Sequence, residues 1–238
     1  MDVIEFDLFA RPGVSHRLQT DGRSRGSGVE AQLNIAVMGT GMVGSAIAGR
    51  LVGLGHSVML GSRAPGADKA KAVANATGAS VGSHAEAAAH GEWIVNALPG
   101  EQSIPLLKSC DLDGKILIDI GNYDIAVDQP IVAPLGQAIQ QAFPSVRLVK
   151  TLNSVSAHLM VDPAHLGAEH TVFIASNDAD AKAQVTELLK TFGWRRILDL
   201  GDLKHCRAME QLIPLWMSLE AAFGHPNFNL AVVTGDKV

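Results

Sequence analysis

The chain has 238 residues, enough for one large domain or one domain with a small appendage. Its 47% hydrophobic share supplies a substantial core, and a net charge of -5 argues against the basic face that nucleic-acid binding requires. The two cysteines, Cys110 and Cys206, show no C-x-x-C or metal-type spacing. A disulfide framework is therefore not expected, which fits a reducing cytoplasm, and no apolar run approaches the roughly 18 residues a membrane span needs.

Residues 1–32 are polar, aperiodic and rich in breakers, as in Arg11-Pro12-Gly13 and Arg23-Ser24-Arg25-Gly26. Asp2, Glu5 and Asp7 interrupt any apolar region behind Met1, which excludes a signal peptide. The expectation is a disordered leader, or translated sequence ahead of the true start, with no chemistry of its own.

From Leu33 the pattern is regular. The apolar run Ile35–Met38 predicts a buried parallel strand. Gly39-Thr40-Gly41-Met42-Val43-Gly44 follows, then helical spacing over Ser45–Leu54 and a second strand over Ser57–Leu60. A lone G-x-G-x-x-G is a weak signal, but strand, glycine turn, helix and strand within about 30 residues form the context that dinucleotide binding requires. Gly39 permits the tight turn, Gly41 lets a pyrophosphate approach the backbone, and Gly44 lets the helix pack on the strand. The helix N-terminus then receives the phosphates. At the end of the second strand an NAD site usually carries an acid for the ribose 2′-OH, roughly 20 residues past the glycines. This chain has Gly61, Ser62 and Arg63 there instead. A hydroxyl and a guanidinium fork suit a 2′-phosphate, so NADP(H) is the expected cofactor.

The alternation continues with helices over Asp68–Thr77 and Ser83–His90 and strands over Ala79–Val81 and Trp93–Leu98. A short helix over Ser103–Leu107, a strand over Lys115–Ile120, a helix over Pro134–Phe143 and a strand over Arg147–Thr151 complete this part. Alternating strands and helices imply a parallel sheet with helices on both faces. Ligands then sit at the carboxyl ends of the strands: Gly39–Gly41, Ser62–Arg63, Leu98–Gly100, Gly121–Asn122 and Lys150–Asn153. Further on are helices over Ser154–Met160 and Asp178–Phe192, strands over Thr171–Ala175 and Arg195–Leu200, and a long apolar helix over Lys204–Phe223. Its Met209, Leu212, Pro214, Trp216 and Met217 are expected mainly in the core, with a second subunit as the other choice, and the tail Pro226–Leu230 is placed back over the site.

The runs IAVMGTGMVGSAIAGRLVGLGHSVMLGSR, ALPG and KTLNSVSAHLM resemble the NADP oxidoreductase family that depends on coenzyme F420; the reductase domain of ferric reductases has overlapping motifs. The resemblance covers roughly Leu33–Val233. It implies an α/β Rossmann-type, doubly wound, mostly parallel sheet with a small C-terminal α/β domain, divided here as an NADP-binding domain over 33–153 and a second over 154–238. It implies direct hydride transfer between NADP(H) and a deazaflavin or flavin, and a homodimer. On these residues the cofactor site is Gly39, Thr40, Gly41, Met42, Val43, Gly44, Ser62, Arg63, Leu98, Pro99, Lys150 and Asn153, with Thr40, Ser62 and Arg63 at the 2′-phosphate. Asn153, Ser156 and His158 would line the second-substrate pocket.

Direct hydride transfer needs positioning and exclusion of water, and no catalytic dyad, triad or metal spacing is evident, so no catalytic residue is assigned. Apart from His158, the histidines, His84 among them, are expected at the surface or as caps. Asp119 and Asn122 are expected to organise loops. An NADP-dependent reductase of a small carbonyl or imine and a non-catalytic NADP(H) sensor are the alternatives.

Overall fold

Eight strands form one sheet in the order β3-β2-β1-β4-β5-β6-β7-β8. The computed structural model describes residues 32–124 and 133–235, so the expectation for the leader lies outside the described residues but for Gln32. The strands are β1 (Asn34–Met38), β2 (Ser57–Gly61), β3 (Ser80–Gly82), β4 (Trp93–Asn96), β5 (Ile116–Asp119), β6 (Arg147–Thr151), β7 (Thr171–Ser176) and β8 (Arg196–Asp199). All neighbours pair in parallel except β6 and β7, which are antiparallel. The sheet and its helices form the Rossmann-type fold expected from the alternation of elements. The strand–helix–strand unit after residue 153 continues the same sheet through the β6–β7 pair.

The helices are α1 (Met42–Gly53), α2 (Asp68–Thr77), α3 (His84–His90), α4 (Gly100–Leu107), α5 (Leu135–Ala142), α6 (Ala157–Val161), α7 (Ala179–Phe192), α8 (Cys206–Glu210) and α9 (Leu212–Phe223). Successive strand side chains point to opposite faces, so each strand feeds two cores. Ile35, Val37, Val95 and Ile118 meet Ile47 and Leu51 of α1 and Val185, Leu189 and Phe192 of α7. Ala36, Met38, Ile94 and Leu117 meet Ala87 of α3, Leu107 of α4 and Leu135 and Ile139 of α5. Continuous apolar strands are what a sheet covered on both faces demands.

Local signals end several elements. Ser83 caps α3 in a reciprocal box with Glu86. Asp178 caps α7 by accepting from Ala181 N at 2.8 Å, while Arg147 of β6 grips both its carboxylate oxygens at 2.7 and 3.1 Å. The expected long helix over 204–223 is broken: a 3-10 turn over Leu203–His205 and α8 end at Gln211 before α9 begins. Pro214 has no N–H to give the Glu210 carbonyl, so a continuous ladder is impossible, and Pro is accommodated in the first turn of a new helix. Of the apolar residues expected mainly in the core here, Met209 is buried, while α9 contains no buried residue and exposes Leu215, Met217 and Phe223. The tail does not line the cavity at the strand ends. Leu230 O accepts from Thr171 N, and Val232 O accepts from Arg196 Nη2.

Candidate functional site

The sheet changes direction of strand order between β1 and β4, and a crevice must open at the carboxyl ends there. Gly39 leaves β1 with φ +114°, a conformation strained for any residue with a side chain, and a Cβ there would press on Ala97 O at 2.9 Å. Its N–H donates to Gly61 O at 3.0 Å, tying the turn to β2. A Cβ on Gly44 would collide with the Gly39 carbonyl oxygen, so glycine there lets α1 sit directly on the turn. A Cβ on Gly41 would meet nothing within 4 Å, because this backbone faces open space. The first bond of α1 runs from Ser45 N to Gly41 O, so the N–H groups of Met42, Val43 and Gly44 precede the helical ladder and are available to an anion.

A cavity of about 640 Å³ runs from this turn along the strand ends. Gly39, Thr40, Gly41, Met42, Val43, Ser62, Arg63, Leu98 and Pro99 all line it, and Gly44 is buried against the Gly39 turn. The volume suits an organic cofactor, within the roughly 300–1,000 Å³ usual for such pockets. No carboxylate lines it, whereas Arg63 and Lys69 do. Arg63 is exposed and makes no hydrogen bond or ion pair among the described residues. Ser62 turns the chain by accepting from Ala64 N at 3.2 Å, which leaves its hydroxyl proton free to donate. A glycine cradle open to the cavity, orphan helix N–H groups and an unpaired guanidinium where an acid would repel phosphate all fit NADP(H).

Two ionisable cavity residues escaped the sequence reading. Lys69 belongs to the first turn of α2, and helical pattern alone does not say which turn faces the crevice. His84, expected at the surface or as a cap, is instead buried against Gly61, and both burial and the nearby Arg63 guanidinium hold its imidazole below the usual 6.5.

Lys150 is fully buried and does not reach the cavity. Its ammonium lies 2.8 Å from Asp119 Oδ2 and 3.2 Å from Glu210 Oε1, and donates to Gly121 O at 2.5 Å. Burial opposes its charge, but the two carboxylates outweigh burial and hold it above the usual lysine range. Asp119 Oδ1 accepts from Gly121 N at 3.1 Å and Asn96 Nδ2 at 2.9 Å, and Glu210 accepts from the Leu135 and Gly136 amides at the start of α5. The network therefore clamps both polar groups of Gly121, a residue of the cavity wall. Asn153 stands equally far back. Leu152 takes φ 60°, uncommon for a residue with a side chain, and the chain turns so that Asn153 exchanges hydrogen bonds with Asn122, which lines the cavity. Ser156 donates to Pro226 O at 2.6 Å and His158 meets Asn227 at 3.2 Å, both away from the cavity.

Residues 34–123 match the model of the family described as NADP oxidoreductase, coenzyme F420-dependent. A solved structure of a candidate F420-dependent NADP-reductase from Arthrobacter sp. FB24 is 39% identical with a TM-score of 0.79, over 85% of this chain and 100% of that one. The F420-dependent NADP reductase of Methanocaldococcus jannaschii is 26% identical, over 80% of this chain and 94% of its own. The metalloreductase STEAP3 of Rattus norvegicus is 29% identical over 87% of this chain, which spans only 42% of that longer protein. With the glycine turn, the strand order and these matches in agreement, the chain belongs to the coenzyme F420-dependent NADP oxidoreductase family.

Proposed function

We propose that this protein transfers a hydride between NADP(H) and a deazaflavin of the coenzyme F420 type or a flavin-like acceptor. The observation that carries the reading is Arg63, an unpaired guanidinium on a cavity with no carboxylate, beside a glycine turn whose Gly41 backbone faces open space. The amides at the start of α1 bind pyrophosphate, and Thr40, Ser62, Arg63 and Lys69 hold the 2′-phosphate. Leu98, Pro99 and Gly121–Asn122 form the wall for the nicotinamide end, and Leu98 with Ile120 keeps water from it. NADP(H) supplies or receives the hydride, so the chain has to orient and dry the reacting faces and needs no acid or base. Lys150 and Asn153 act from behind by fixing Gly121 and Asn122. Ser156 and His158, with their polar atoms turned to the tail, are not part of this reading.

A second copy of the chain covering α9 is the partner this reading includes, and two free cysteines fit a reducing cytoplasm. Among the described residues no helix is long and apolar enough to cross a membrane. The test is NADPH oxidation by the purified protein with coenzyme F420, FMN or no acceptor in parallel. Turnover with the deazaflavin or the flavin supports the reading. Tight NADPH binding with turnover only on a small carbonyl or imine, or with none at all, would replace it with a different reductase or a sensor.

A further inference from the structure

His84 opens α3, yet its ring lies at the Arg63 end of the cavity and is 7% exposed. Glycine at position 61 makes room for it, because a Cβ there would meet His84 Cδ2 at 3.2 Å and Met38 Sδ at 2.9 Å. The only other buried histidine among the described residues, His170, satisfies both ring nitrogens, against Pro163 O at 2.8 Å and Asn229 at 2.6 Å. His84 makes no hydrogen bond at all among the described residues. Neither ring nitrogen is enclosed, unlike the unpartnered Arg50 Nε and Trp216 Nε1, so the imidazole is open to a ligand in the cavity it lines.

The charges around the ring say what kind of ligand. Arg63 approaches from the loop after β2 and Lys69 lines the same cavity from α2. Glu86, on the same helix, is spent on the Ser83 cap. The three strands α3 packs on, β1, β2 and β3, bring no ionisable side chain. In the free protein burial and the Arg63 guanidinium hold the imidazole below its usual range, and an entering dianion opposes both.

Resting on the reading of this cavity as an NADP(H) site, we propose that His84 is a specificity-determining residue for the cofactor's 2′-phosphate. On binding, its imidazole takes up one proton from solvent and donates a hydrogen bond to the phosphate that Arg63 also holds. NADPH binding is thereby coupled to proton uptake, and NADH binding is not.

The experiment is calorimetric titration of the full chain with NADPH and NADH at pH 6.5 and 8.5, in buffers of different ionisation heat. Wild type takes up protons with NADPH only, and its NADPH affinity falls by about tenfold between the two pH values, as loss of a charge-assisted bond implies. His84→Gln abolishes the uptake, binds NADPH at pH 6.5 as wild type does at pH 8.5, and leaves NADH unchanged. The phosphate's own second ionisation, near pH 6, acts on both proteins and drops out of the comparison. Uptake that persists in His84→Gln, or equal weakening of both cofactors by that variant, overturns the assignment. So does equal uptake with NADH in wild type, a result that needs no variant to fold. Arg63→Ala tests the underlying reading separately: if it leaves the preference for NADPH intact, the cavity reading itself fails, whatever His84 does.

Discussion

At the residue scale the phosphate end depends on single groups with few neighbours to compensate for them. Arg63→Ala should weaken NADPH by about 1.5–3 kcal/mol, the range for a charge-assisted contact, and leave NADH nearly unchanged. Equal loss for both cofactors in fluorescence titration would remove Arg63 from the 2′-phosphate. The glycines separate binding from folding. A methyl on Gly41 enters open space, so Gly41→Ala should keep the melting temperature of wild type while losing NADPH affinity by tenfold or more. A methyl on Gly44 meets the Gly39 carbonyl, so Gly44→Ala should cost about 1–3 kcal/mol of stability as well, as overpacking does. Urea titration of the two variants distinguishes these outcomes. The glycine spacing and the missing acid were both visible in the sequence because they depend on neighbours within one βαβ unit.

At the element scale a row of polar residues crosses the sheet just below the cavity, since Asn96 pairs with Asp119 and Asp119 with Lys150 in the ladder. Glu210 joins this row from α8, far away in sequence, and caps the start of α5. Lys150→Met would leave two buried carboxylates facing each other, and the expected destabilisation is about 3–5 kcal/mol by denaturant unfolding. Glu210→Gln leaves a neutral Lys150–Asp119 pair and should cost only about 1–2 kcal/mol. A Glu210→Gln effect as large as that of Lys150→Met would show that the carboxylate does more than cap and pair. The same burial pushes the Cys206 thiol up to about 12, so it stays protonated and inert at neutral pH. A second junction, between β6 and α7, responds to acid. The Arg147 guanidinium and the Ala181 amide hold Asp178 down to about 2, from 3.8. Its folded value lies below its unfolded one, so its contribution is complete above pH 3.8 and is lost as pH falls towards 2. Asp178→Asn should flatten the acid limb of a stability–pH curve in that window, by less than the shift alone suggests because the pair is about one-third exposed. An unchanged acid limb would mean that the pair is equally formed in the unfolded chain.

At the scale of the whole molecule the unusual feature is α9. Its twelve residues carry one ionisable group, Glu220, and Leu215, Met217 and Phe223 are 47%, 45% and 53% exposed. A helix this apolar belongs in an interior, and in an isolated chain the tail's Phe228, against Trp216 and Phe223, covers it only in part. The expected outcome is a dimer by light scattering, converted to a monomer by Leu215→Glu with Met217→Glu. A wild type that is monomeric at micromolar concentration would refute this.

The sequence by itself determined what short-range rules control: most of the strand and helix order, the glycine turn, and the absence of an acid at the end of β2. Each depends on residues within a turn or a crossover of one another, where periodicity and capping chemistry leave little choice. Tertiary structure decided which strand-end residues face the cavity. Lys150 sits at the end of β6 as expected, but the β5–β6 register sets it beside Asp119, and α8 brings Glu210 over both. A charge so enclosed becomes part of the core and no longer meets a ligand. His84 moved the opposite way, from an expected surface position to the cavity wall, because Gly61 on a neighbouring strand leaves room for its ring. Such outcomes depend on residues that meet only once the sheet has assembled.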